Sequence, residues 1–112
     1  MDSNEFILVL NSILPDGFEA KKFRQMPRIH IKYFHYGFAV IDLNKRNYNL
    51  YALDGLFSAI GIRNYDRNFT YMSNKTTRIM HIPYEDTEVL KKLFKYVESH
   101  PSSVESTAIQ SY

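Results

Sequence analysis

Three short runs of strand-forming residues between Pro27 and Asp54 constrain this chain more than any other feature. Arg28-Ile29-His30-Ile31-Lys32-Tyr33 alternates polar with apolar residues, the period of a half-buried strand. Phe38-Ala39-Val40-Ile41-Asp42-Leu43 and Tyr48-Asn49-Leu50-Tyr51-Ala52 are separated only by Asn44-Lys45-Arg46-Asn47, which is polar and short and therefore a hairpin turn. Phe69 to Met72 and Thr77 to Ile82 read as a second hairpin, turning at Ser73-Asn74-Lys75. The expected sheet is antiparallel and spans residues 28–52 and 69–82.

Helices flank these strands. Phe6, Ile7, Leu10, Ile13 and Leu14 recur at three- and four-residue steps, so a helix capped by Ser3 or Asn4 runs to about Leu14, where Pro15-Asp16-Gly17 stops it. Leu53, Leu56, Phe57 and Ile60 share one face of a short helix, and Gly61 stands where a left-handed terminator belongs. From Asp86 to about Glu98, Val89, Leu90, Leu93, Phe94 and Val97 line one face of a last helix that Pro101 ends. The expected fold is α+β, a small antiparallel sheet packed against N- and C-terminal helices in one domain over residues 1–101. Residues 102–112 are Ser/Thr-rich without apolar period and are expected to form a flexible tail. The rival reading makes Ile109 to Tyr112 a short edge strand, in this chain or in a second copy, and hence a homodimerisation arm.

Several chemistries fall away. A chain of 112 residues can bury roughly two-thirds of its unfolded surface without a covalent staple. Without cysteine, a disulfide scaffold, a Cys-based zinc site, a thioredoxin-type pair and a cysteine nucleophile are excluded. The longest apolar run, Phe6 to Leu10, is far short of the ~20 residues that cross a bilayer. Asp2 and Glu5 stand where a signal peptide needs positive charge, so the expectation is a soluble, intracellular protein of cytoplasm or nucleus with no membrane partner. His30, His35, His81 and His100 never fall at the spacing of two or four that presents two imidazoles to one metal. Asp16, Glu19 and Lys21 resemble a magnesium-nuclease signature only superficially, because two residues cannot place the acids on successive strands. No phosphate loop, G-x-S-x-G elbow or Ser-x-x-Lys is present, so neither enzyme activity nor a cofactor is expected.

Charge is what speaks to function. Residues 1–20 carry Asp2, Glu5, Asp16 and Glu19 and no base, residues 21–80 are strongly basic, and the remainder is acidic again. Eleven aromatic residues fall in that basic stretch, among them Tyr33, Phe34, Tyr48, Tyr51 and Phe69. Cations that displace phosphate counterions, interleaved with rings that accept bases, suit nucleic acid. On this reading Lys45, Arg46, Arg63, Arg67, Lys75 and Arg78 contact phosphate, while Asn64 and Asn68 reach base edges. Each of these side chains equally suits a solvated surface. A second class is open: a non-catalytic protein-binding or inhibitor module of viral origin acting on a host protein, suggested by small size, nine Tyr and an Asn-, Lys- and Ile-rich composition. Tyr33, Tyr36, Tyr48 and Tyr51 equally suit simple packing across a sheet.

Phe38-Ala39-Val40-Ile41-Asp42-Leu43, the polar turn, Tyr48-Asn49-Leu50-Tyr51-Ala52 and then Leu53-Asp54-Gly55-Leu56-Phe57-Ser58-Ala59-Ile60-Gly61-Ile62-Arg63-Asn64-Tyr65 resemble the opening of the Bro-N and KilA-N domains of large DNA viruses and phage antirepressors. The resemblance covers about 30 residues, a hairpin running into a short amphipathic helix. It implies that Thr76 to Ile82 is the family's later strand, and that the helix and its flanking basic hairpin bind DNA rather than RNA. The family usually carries a bulky aliphatic residue where Gly55 stands.

Overall fold

The computed structural model describes residues 2–22, 28–62, 67–70 and 76–107, with the backbone alone at 67–70, 76 and 105–107. In chain order the elements are α1 (Ser3–Ile13), β1 (Phe18–Lys22), β2 (Arg28–Tyr33), β3 (Tyr36–Leu43), β4 (Asn47–Leu53), α2 (Asp54–Ala59), β5 (Arg67–Thr70), β6 (Thr76–Pro83), α3 (Glu88–Ser99) and α4 (Ser102–Thr107). The strands form one sheet in the order β1-β2-β3-β4-β6-β5, with every neighbouring pair antiparallel. The α+β architecture read from the sequence is therefore the observed one, enlarged by β1 at one edge and by α4.

Register decides which residues meet the helices. Ile29 pairs with Ile41, Ile41 with Leu50 and Leu50 with Met80, while Ile31 pairs with Ala39 and Ala39 with Ala52. These residues share a face because side chains alternate along a strand. A register shift at Ile31/Lys32 lets the adjacent Phe38 and Ala39 both enter the core, as a bulge does. Onto this face pack Phe6 and Leu10 of α1, Leu56 and Phe57 of α2, Leu90, Leu93, Phe94 and Val97 of α3, and Val104 of α4. Aromatic contacts join the layers: the Phe6 and Tyr48 rings lie 4.9 Å apart, and Phe94 lies 5.5 Å from Phe18 and 6.4 Å from Phe38. Among the described residues, all four helices thus lie against one side of the sheet.

Three expectations need correction. The cap of α1 is Asp2 rather than Ser3 or Asn4: its Oδ1 accepts the Glu5 N–H at 2.8 Å, satisfying a donor that the first turn leaves without a helical partner. The last helix begins at Glu88, where the Asp86 carboxylate accepts the Glu88 N–H at 3.0 Å and so stays outside the helix. Residues 102–107, expected as the start of a flexible tail, are helical and bury Val104 completely in the core. Residues 108–112, and with them the suggested edge strand at 109–112, lie outside the described residues. The turn at 73–75 lies outside them as well.

Candidate nucleic-acid interface

The alternate strand positions face away from the helices. Along one cross-strand row stand Lys21, His30, Val40, Tyr51 and Ile79; along the next stand Arg28, Asp42, Asn49 and His81. Lys32 pairs with Glu19 and with Gly37 beyond them. Among the described residues no helix lies over this face. Its floor is nevertheless closed, since His30, Val40, Leu53, Thr77 and Ile79 are buried. Lys21 and His81 are exposed at its margins, while Arg28, Lys32, Asn49 and Tyr51 are half-buried.

The polar groups here are tied to one another. Arg28 Nε lies 3.0 Å from Asp42 Oδ1 in an ion pair that leaves the arginine side chain 41% exposed. The Tyr51 hydroxyl is raised above the ordinary phenol range, first by burial and then by its hydrogen bond to the Asp42 carboxylate and that group's charge. His30 titrates below its ordinary value because burial, and then the charges of Arg28 and Lys32, disfavour the imidazolium more than Asp42 favours it. Among the described residues, no group of three or more His, Asp or Glu could hold a metal ion, and no helix is long and apolar enough to cross a membrane.

The residues singled out from the sequence are dispersed. Lys45 and Arg46 are exposed on the β3–β4 turn, next to the Arg28 end of the sheet through the pairing of Arg28 with Asp42. That turn is braced: Asn44 N–H donates to Asn47 O at 2.9 Å, Asn44 Nδ2 to Asn49 Oδ1 at 3.2 Å, and the Tyr84 hydroxyl to Asn44 O. A second hydroxyl, of the buried Tyr48, donates to Asp86 O at 2.6 Å and is held well above the ordinary phenol range by burial. Arg78 stands opposite the core residue Ala52 on the helix side, its Nε 3.0 Å from Asp54 Oδ1 at the start of α2. Arg67 pairs with Ile79 and Asn68 with Arg78 in β5. Arg63, Asn64 and Lys75 lie outside the described residues. The short helix buries Leu56 and Phe57 and exposes Gly55 and Ala59, neither of which has a hydrogen-bonding side chain.

Lys21, Arg28 and Lys32 are not among the phosphate contacts expected from the sequence, and Tyr51 is named there only among the aromatic residues of the basic stretch. The alternation of Arg28, His30 and Lys32 carried the signal, and it needed the knowledge that every helix takes the Ile29 and Ile31 side. Comparison with family models, with curated proteins and with solved structures finds no match for this chain.

Proposed function

We propose that this protein binds nucleic acid through the helix-free face of its sheet, with Lys21, Arg28 and Lys32 contacting phosphate and Lys45 and Arg46 extending the track onto the β3–β4 turn. The observation that carries this reading is that the helices of the described residues pack on one side, which leaves these cations together on the other with, among the described residues, only Glu19 and Asp42 between them. The helix side has the opposite character among the described residues: Asp2, Glu5, Asp54, Glu85, Asp86, Glu88 and Glu98 outnumber Lys22, Arg78, Lys91, Lys92 and Lys95. Such polarity orients a molecule towards a polyanion before contact. The hairpin running into a short helix, which motivated the Bro-N and KilA-N resemblance, contributes its basic turn to this surface.

Fluorescence anisotropy with labelled DNA and RNA at two salt concentrations tests the reading. Phosphate binding should weaken steeply, by roughly 10²- to 10³-fold between 50 and 200 mM salt for the five cations named. Absence of binding at low salt, or affinity indifferent to salt, would overturn it and favour a protein partner.

A further inference from the structure

The helix-free face differs from a plain phosphate-binding patch in the row that crosses its centre. Val40, Tyr51 and Ile79 stand side by side on β3, β4 and β6, with His30 next on β2. Val40, Ile79 and His30 are buried, whereas Tyr51 between them is only half-buried, its hydroxyl hydrogen-bonded to Asp42. An aromatic residue is thus seated on an apolar row, with Arg28 and Lys32 two strands away on β2 and Lys21 one strand further on β1. A duplex keeps the faces of its bases stacked inside and offers such a row phosphate, sugar and the groove edges of its bases, with no base face to stack on.

Shape points the same way. Adjacent strands lie about 4.8 Å apart, so the five strands that carry this row and its flanks span more than the ~12 Å width of a major groove, which admits a helix or a two-stranded ribbon. The helices that could enter a groove are packed behind the sheet, and α2 offers Gly55 and Ala59 to solvent. A single strand has neither restriction: its bases turn onto the protein while its phosphates meet the flanking cations.

We infer that the ligand of this face is a single-stranded polynucleotide, with an unpaired base stacked on Tyr51 and the adjoining phosphates on Lys21, Arg28 and Lys32. The inference rests on the nucleic-acid reading above and narrows it. The full chain is titrated into labelled single strands of about 16 nucleotides, DNA and RNA in separate arms, and into the duplex of the same sequence at matched salt. Single strands should bind at least tenfold tighter than the duplex. Tyr51→Leu should weaken single-strand binding roughly 5- to 100-fold, the size of one lost base stack, while Tyr51→Phe keeps the ring and most of the affinity. Equal or tighter duplex binding overturns the single-strand inference and leaves the nucleic-acid reading standing; no binding to either form overturns both. Unchanged single-strand affinity in Tyr51→Leu removes Tyr51 from the site, and the comparison of strand forms needs no variant at all.

Discussion

Gly17 and Phe34 are fitted to each other across the end of the β1–β2 pair. Phe34 has a φ of 54°, which a bulky residue rarely adopts, and its N–H donates to Gly17 O at 2.8 Å. Gly17 has a φ of 90°, and a Cβ there would lie 3.0 Å from Phe34 Cζ. Gly17→Ala should therefore lower stability by about 1–3 kcal/mol in denaturant unfolding, from backbone strain and displacement of the ring. Gly55 is the contrasting case, with an ordinary φ and no atom within 4 Å of an added Cβ. Gly55→Ala in α2 should raise stability by about 0.5–1 kcal/mol, and a loss instead would show that the position is constrained. The third residue is His30, whose folded-state value is depressed by burial and by Arg28 and Lys32. Its contribution to stability is present above the unfolded imidazole value of about 6.5 and is lost as pH falls through the lower folded value. Unfolding free energy should decline below pH 6.5, and His30→Gln should flatten that decline.

Among the elements, α4 alters the boundary of the folded unit. Val104 is fully buried beneath the sheet although nothing in Ser102-Ser103-Val104-Glu105-Ser106-Thr107 repeats at helical spacing. One apolar side chain gives no period, so the helix was not legible in the sequence; its place depends on a gap in the core that only the packed strands define. Truncation after Pro101 should lower the melting temperature, and Val104→Ala should cost about 1–3 kcal/mol. An unchanged melt in the truncated chain would show that α4 adds nothing to stability. Strand β1 escaped for a related reason, since Phe18 and Ala20 are its only apolar residues and its pairing with β2 makes it a strand. By contrast β2, β3, β4 and α3 were legible because each carries enough buried residues to display its own period: Ile29 and Ile31 in one, Leu90, Leu93, Phe94 and Val97 in another.

For the molecule as a whole, the basic middle of the sequence was legible, but its distribution over two faces was not. Which cations share a surface depends on which side the helices choose. Arg78 illustrates the difference, for it belongs to the basic stretch yet pairs with Asp54 on the helix side. Lys45→Ala combined with Arg46→Ala should reduce the salt slope of nucleic-acid binding by about 2, one for each phosphate contact. Lys91→Ala with Lys92→Ala, on α3 behind the sheet, should leave the slope unchanged. Equal damage from the two pairs would show that binding follows net charge rather than this face.

The two tyrosine hydroxyls that reach Asn44 and Asp86 have a consequence for how the β3–β4 turn works. Together with the pairing of Asn47 with Pro83, they clasp the turn to the segment that leads into α3, so the backbone carrying Lys45 and Arg46 is preorganised before any ligand arrives. Under the proposed nucleic-acid reading, binding there would have less loop-ordering entropy to offset than at a free hairpin tip. The clasp also makes the turn and the start of α3 open as one cooperative unit, whose amide hydrogens should exchange at a common rate. Cutting it with Tyr84→Phe should loosen the turn that carries Lys45 and Arg46 and raise the exchange rate of its amide hydrogens.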